Sequence, residues 1–277
     1  MRDQSASAIE DSTFDAIAAI AHREAGLSLP REKSAMVAAR LRRRMGRLGI
    51  SSFEEYLRLI TGPDGTERRR MVAALTTNVS SFFREPHHFE ALRAQILPDL
   101  LERAAAGARL RIWSAGCANG QEAYSIALTI LDLAPDASSL DIRILGTDID
   151  PSVVRFSELG TYHSSMMGDV PERMKSQYFV FDSFSNTFRA ADALRQLVLF
   201  RDLNLHGPWP MPGRFDIIFC RNVVIYFDEA GQKSLWPRFE DRLTDRGWLI
   251  VGHSERIAED TAPRLEQVAH TIYRVKA

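Results

Sequence analysis

Apolar positions recur every three or four residues over the first quarter of the chain. Further on they gather into short continuous runs. From Phe14 to Glu24, the residues Phe14, Ile17, Ala18 and Ala21 share one helical face, with Ser12 or Thr13 as cap and Gly26 and Pro30 beyond the end. Lys33 to Leu48 predicts a second helix with Val37, Leu41, Met45 and Leu48 on its apolar stripe and Gly49 closing it. Ser52 to Ile60 predicts a third, with Ser52 capping and Glu55 placed for a capping box. Gly62-Pro-Asp-Gly65 breaks the pattern, and Thr66 to Thr76 predicts a fourth helix. Residues 1–76 thus read as an all-α N-terminal domain whose first twelve residues are polar and frayed.

After a helix from Pro86 or His87 to Glu102, the pattern changes. Leu110 to Trp113 is a short buried strand. Ser114 to Gly120 is a turn of small residues. Glu122 to Leu133 places Ala123, Ile126, Ala127 and Ile130 on one helical face. Strand, glycine-bearing turn and helix form the opening unit of a doubly wound α/β sheet. Leu140 to Leu145 is the second strand, ending in Gly146-Thr-Asp-Ile-Asp150, and Asp150-Pro151 opens a helix. Leu197–Phe200, Phe215–Cys220 and Gly247–Gly252 continue the sheet, with Thr271–Val275 as a last, antiparallel strand. Residues of about 160–196 interrupt the alternation, and Tyr178–Phe181 with Asn186–Ala190 read as a hairpin. The fold expected for residues 77–277 is therefore Rossmann-like α/β with a small inserted β subdomain. Polar residues at several strand C-termini put a site along one sheet edge.

The turn restricts the ligand. A dinucleotide pyrophosphate needs G-x-G-x-x-G, whereas Gly116 and Gly120 stand in G-x-x-x-G. Gly116 allows close approach to the backbone. Glu122, in the first helical turn, would repel a pyrophosphate but suits a cationic group, which points to S-adenosylmethionine with its amine and sulfonium. The plainer alternative is a tight βα turn with a favourable acid after it. Asp148 ends the second strand, where nucleotide folds hold ribose hydroxyls; a helix cap is the alternative there. Arg40, Arg43, Arg44 and Arg47 form a second stripe on the second helix, either a solvated face or a docking patch for an acidic partner. Thr76 to Glu85 is rich in hydroxyl and amide groups and holds adjacent Phe82 and Phe83, which is odd for a linker. His87 and His88 are neighbours on a helix, about 100° apart, so no metal site is expected from them.

The chain has 277 residues, 45% hydrophobic and 26% charged, with net charge −1. That balance predicts no global pull toward nucleic acid or membrane. No apolar run spans a bilayer, no signal core opens the chain, and two cysteines make no disulfide framework, so a cytoplasmic setting is expected.

Five ordered motifs carry a family resemblance: Asn78-Val-Ser-Ser-Phe-Phe-Arg84, Ser114 to Tyr124, Thr147 to Asp150, Phe219 to Asp228 and Gly252-His-Ser-Glu255. From about residue 14 to the C-terminus the chain resembles the chemotaxis receptor methyltransferases (CheR). The resemblance implies methyl transfer from S-adenosylmethionine to glutamates of chemoreceptor cytoplasmic helices, by an enzyme working at receptor arrays. It implies that Asn78, Ser80 and Arg84 contact the cofactor or shape the methyl site. Glu122 would take the methionine amine and Asp148 the ribose. Asn204 and Leu205 would flank the adenine, and Arg221 with Asn222 would close the pocket beside Gly116. Arg84 and Tyr226 are the candidates for orienting the acceptor carboxylate, with a core aromatic as the alternative for Tyr226. A non-catalytic cofactor-binding adaptor and a methyltransferase for another acidic protein or RNA are the rival classes. Arg221-Asn-Val-Val stands where amino-group methyltransferases carry Asp/Asn-Pro-Pro-aromatic. In some relatives the inserted hairpin binds a receptor C-terminal pentapeptide over a glycine-rich turn. Here Phe181-Asp-Ser-Phe-Ser-Asn186 has no glycine, so independence from such a tether is expected.

Overall fold

The structure is a computed structural model and describes residues 9–276. Four helices open it: α1 (Asp11–Ala25), α2 (Ser34–Leu48), α3 (Phe53–Thr61) and α4 (Gly65–Leu75). Their apolar faces meet in one core around Ile17, Leu41, Tyr56, Ile60 and Met71, all fully buried. Ser52 Oγ accepts the Glu55 N–H at 3.1 Å, as the cap pattern requires. At the N-terminus the expectation needs correction. Glu10, not Ser12 or Thr13, holds the cap position of α1, and Thr13 is buried. The frayed end expected over residues 1–12 does not extend into residues 9–12, because Ile9 packs into the helical core and Asp11 pairs with Arg31. Residues 1–8 lie outside the described residues.

The second domain starts with α5 (Pro86–Ala91), which passes through a π turn at Leu92–Ile96 into α6 (Leu97–Ala105). Then come β1 (Leu110–Ala115), α7 (Gln121–Leu133), β2 (Ile142–Asp148) and α8 (Pro151–Leu159). The insert contributes β3 (Thr161–His163), α9 (Glu172–Tyr178), β4 (Phe179–Asp182) and β5 (Thr187–Ala190), followed by α10 (Asp192–Leu197). The main sheet resumes with β6 (Val198–Asp202), β7 (Phe215–Cys220), α11 (Glu229–Arg242), β8 (Leu243–Val251), β9 (Leu265–Ala269) and β10 (Ile272–Val275). Seven strands lie in the order β6-β2-β1-β7-β8-β10-β9. The first five are parallel, and β10 runs antiparallel to both its neighbours. The insert is a separate antiparallel sheet, β3-β5-β4, one strand more than the expected hairpin.

Phe82 explains the aromatic pair after the helical domain. It is fully buried, edge-on to Tyr162 at 5.0 Å and to Phe179 at 6.0 Å, so it pins its segment against the insert. Burying one such ring contributes about 1.5–3 kcal/mol. The two domains are clamped at several points. Leu27 bridges Phe227, and Ser28 N–H donates to the Tyr226 carbonyl at 2.8 Å. Asn204 Nδ2 donates to the Glu24 carbonyl at 2.6 Å, and His22 lies 2.9 Å from Asp228.

Candidate active site

At the C-terminal ends of β1, β2 and β7 a cleft encloses about 1060 Å³, part of it open to solvent. All eleven cofactor and catalytic candidates, from Asn78 to Tyr226, line it. Its floor is the turn after β1. Gly116 has φ +84°, and a Cβ there would lie 2.2 Å from Val223 Cγ2, so no other residue fits between the turn and the loop after β7.

Two acids face this floor. Glu122 sits in the first turn of α7. Its Oε1 accepts from Ser114 Oγ at 2.6 Å and its Oε2 from Arg221 Nη1 at 3.1 Å. Burial pushes its carboxyl up, against the pull of Arg221 and Ser114. Asp148 ends β2. Its Oδ2 accepts the Ala118 N–H at 2.9 Å and its Oδ1 the Asp150 N–H at 3.0 Å. Asp148 is therefore not the cap of α8; Asp150 is, taking the Ser152 N–H at 2.8 Å. Burial raises the Asp148 carboxyl as well. Asn78 Nδ2 donates to Asp150 at 3.0 Å, which fastens the 76–80 segment over the same floor beside Ser80. Cys117 lines the cleft too; burial pushes its thiol well up, so it stays neutral.

Arg84 and Arg221 have opposite situations. Arg221 is buried and engaged through both terminal nitrogens, while its Nε has no partner among the described residues. Nη1 donates to Glu122, Nη2 donates to the Arg84 carbonyl, and Glu85 Oε2 lies 3.3 Å from Nη2. Arg221 thus cross-links the segment after β7 to α7 and to the 84–85 segment. Among the described residues the Arg84 side chain has one polar partner, the Val79 carbonyl at 3.0 Å, and no carboxylate. Phe83 and Glu85 on either side of Arg84 take φ of +51° and +58°. Left-handed backbone at non-glycine residues costs on the order of 1–3 kcal/mol each and persists where the surroundings hold it. Glu85 supplies the hold. Burial alone would raise its carboxyl, but Arg221, His253 and Asn222 outweigh it and keep it down to about 2. Tyr226 is half-buried against the helical core and turns its hydroxyl to the Thr77 carbonyl at 3.4 Å, so it is both core aromatic and cleft wall.

Other expectations change. Asn204 lines the cleft, but its amide is spent on Glu24 and on the His206 N–H; Leu205 beside it is buried. Arg40 and Arg44 do not belong to a free basic patch. Arg40 donates to the Leu75 and Thr76 carbonyls and to Thr77 Oγ1, closing the end of α4. Arg44 grips Glu67 with Nε at 2.8 Å and Nη2 at 2.5 Å. Only Arg43 and Arg47 of the four are exposed. The separation argued for His87 and His88 also fails. Their rings lie 4.0 Å apart, and ligand atoms of Glu85, His87 and His88 fall within 4.8 Å of one another. The Arg221 guanidinium beside Glu85 places positive charge against that cluster.

Several wall residues had no sequence signal. Ala25 and Leu27 bring the end of α1 into the cleft, and Val79, 73% exposed, stands at its mouth.

A doubly wound sheet with a glycine turn and two acids in one cleft, Asp148 buried and Glu122 partly so, is the setting of an S-adenosylmethionine-dependent methyltransferase. The donor set fits that cofactor: Glu122 suits an amine, and Asp148 retains lone pairs for vicinal hydroxyls. Residues 78–273 match the CheR methyltransferase, SAM binding domain, and residues 12–76 match the CheR methyltransferase, all-alpha domain. The chain is similar to a "Probable chemotaxis protein methyltransferase" of Rhizobium etli, 44% identical over 256 residues, covering 91% of this chain and 96% of that one. "Chemotaxis protein methyltransferase 2" of Pseudomonas aeruginosa is 37% identical over 91% of this chain and 89% of its own. Among solved structures, PKMT2 from Rickettsia typhi in complex with AdoHcy overlaps 51% of this chain and 20% of its own, with 16% identity and a TM-score of 0.32. The chain belongs to the CheR methyltransferase family, and its activity is S-adenosylmethionine-dependent methylation in chemotaxis.

Proposed function

We propose that this chain transfers methyl groups to glutamate side chains on the cytoplasmic helices of chemoreceptors, yielding glutamyl 5-O-methyl esters and S-adenosylhomocysteine. The observation that carries the reading is Arg84, a cleft-lining guanidinium without a carboxylate partner among the described residues. Its planar fork suits an incoming carboxylate. Glutamate ionises near pH 4.3, so the acceptor oxygen is already a nucleophile at neutral pH and needs no general base. The chain's work is to hold that oxygen in line with the methyl group. Arg84 and Tyr226 orient the acceptor at the mouth. Glu122 binds the amine, Asp148 with Asn78 and Ser80 the ribose side, and Leu205 with Ile149 the adenine. Bound S-adenosylmethionine supplies the methyl group on its sulfonium. Attack by a carboxylate neutralises two charges, which favours a dry cleft lined by fixed dipoles.

Arg43 and Arg47, exposed on α2, are the surface for an acidic receptor bundle. No helix of the described residues is long and apolar enough to cross a membrane. The test incubates the protein with labelled S-adenosylmethionine and receptor-bearing membranes. Base-labile label mapped by mass spectrometry to receptor glutamates is expected; base-stable label, or label only in nucleic acid, would overturn the reading.

A further inference from the structure

We infer that Glu255 is a positioning residue for the methyl-transfer site, an anion that fixes the active loop without touching the reacting atoms. The loop from Arg221 to Phe227 carries Arg221, Asn222 and Tyr226, yet has little regular structure beyond one 3-10 turn at Val224–Tyr226. What holds it comes from across the sheet edge. The Glu255 carboxylate, 4% exposed, accepts four backbone N–H groups. Oε1 takes those of Val223 at 3.0 Å and Val224 at 2.9 Å; Oε2 takes those of Asn222 at 3.0 Å and Gly252 at 2.6 Å.

The loop is shaped to present these donors. Asn222 is left-handed, with φ +58°, and Val223 is right-handed, with φ −114° and ψ −44°. Alternation of this kind points successive N–H groups into one concavity, a nest for an anion. No cation pairs with Glu255 among the described residues, so backbone dipoles alone hold the charge. The far side of the nest is closed by Gly252, where a Cβ would come within 2.9 Å of Asn222 and Glu255 atoms. From the nest the constraint runs to the chemistry in two steps. Asn222 and Arg221 reach Glu85, and Arg221 also takes the Arg84 carbonyl. Glu255 therefore sets the loop whose side chains keep Arg84 in its left-handed surroundings.

Only a carboxylate can do this. Each oxygen accepts twice, so all four lone-pair sites are used. In Glu255→Gln the amide nitrogen must face one pair of N–H donors, losing two bonds and opposing donor to donor. The inference rests on the glutamate-methylation reading only for its assay. The E255Q variant should lower kcat for receptor methylation tenfold or more at saturating S-adenosylmethionine, while S-adenosylhomocysteine binding falls by a smaller factor, because Arg221 on the anchored loop also donates to Glu122 whereas Asp148 lies on another segment. A kcat within twofold of wild type, measured well below the variant's melting temperature, would overturn the inference and leave Glu255 a stabilising residue only. Hydrogen exchange on the wild-type protein decides the matter if E255Q does not fold. The amides of residues 222–224 should be strongly protected although Asn222 and Val223 lie outside helix and strand and Val224 only opens the 3-10 turn. Exchange as fast as that of the exposed Gly213 and Arg214 amides would also refute the anchor. A wild-type protein that methylates no receptor would count against the proposed substrate and leave the exchange result standing.

Discussion

Replacing Arg44 by methionine separates the structural arginines of α2 from the ones free to meet a partner. Arg44 and Glu67 have side chains 16% and 8% exposed, joined by two hydrogen bonds, and Tyr56 donates a third to Glu67 at 3.0 Å. Arg44→Met keeps most of the packed stem and removes the cation, leaving a buried carboxylate with one hydroxyl partner. Breaking a buried pair from one side costs about 3–5 kcal/mol; the residual exposure of Arg44 puts this case near about 3. A loss of that size lowers the melting temperature by roughly 6–12 °C if the protein unfolds as a unit. The pH dependence follows from the sign of the Glu67 shift. Burial works against the Glu67 carboxylate, but hydrogen bonds from Arg44 and Tyr56 outweigh it and hold its folded pKa below the ordinary value. The pair's contribution is thus present above the unfolded pKa of about 4.3 and is lost as pH falls through the folded value. The gap between wild type and variant should be widest near pH 7 and shrink toward pH 4. Thermal melts followed by circular dichroism at several pH values read both. Equal melting at pH 7, or a gap that does not change with pH, would refute the reasoning. The double reversal Arg43→Glu with Arg47→Glu should instead leave the melt within about 0.5 kcal/mol of wild type and slow receptor methylation, because exposed positions cost little in stability.

Glu122→Gln and Asp148→Asn should each weaken S-adenosylhomocysteine binding by about 1–3 kcal/mol in calorimetry, since each leaves buried partners mismatched; wild-type affinity in both would remove the cofactor assignment. Binding should also weaken with acid at a higher pH than ordinary carboxylates would cause, because burial raises both groups. Arg84→Lys should restore little of the turnover lost in Arg84→Ala, and normal turnover in the lysine variant would reduce Arg84 to a point charge. A receptor C-terminal peptide of the tether type should show no micromolar binding to residues 178–190. The outer edge of β4 is free, but its turn lacks glycine, carries Phe184 at 99% exposure and uses Asn186 for its one left-handed position among the described residues. Micromolar binding there would show that the turn does not decide.

Periodicity and the glycine turn made much of this architecture legible. Apolar spacing marked α1 to α4 because each buries a single stripe, and the acids at strand ends pointed to one sheet edge. Elements without such a stripe were hidden. The helix α11 carries Pro237 and a largely polar surface, β9 buries only Leu265, and β3 is three residues long. At the site, residue type marked Glu122, Asp148 and Arg84, but not which charges were already taken. Nothing in the spacing of Arg40, Arg43, Arg44 and Arg47 distinguishes the two that face Glu67 and the end of α4 from the two that face water. That depends on contacts 23 to 37 residues away. Apart from His88, the partners of Glu85 lie more than 130 residues along the chain, so its place beneath Arg84 was not legible either.

The end of α1 has a consequence for how such enzymes can diversify. Ala25 and Leu27 wall the cleft, and Leu27 is tied to Phe227 next to Tyr226. A helical domain so placed is not an interchangeable adaptor. Grafting the helical half of one relative onto the other half of a second would replace part of this cleft along with it. The helical domain and the cleft it walls must therefore drift together, through compensating changes on both sides of the Leu27–Phe227 seam. By linkage, any partner that tilts the helical domain would alter the affinity of the cleft for its ligand by the same factor by which that ligand alters the partner's affinity.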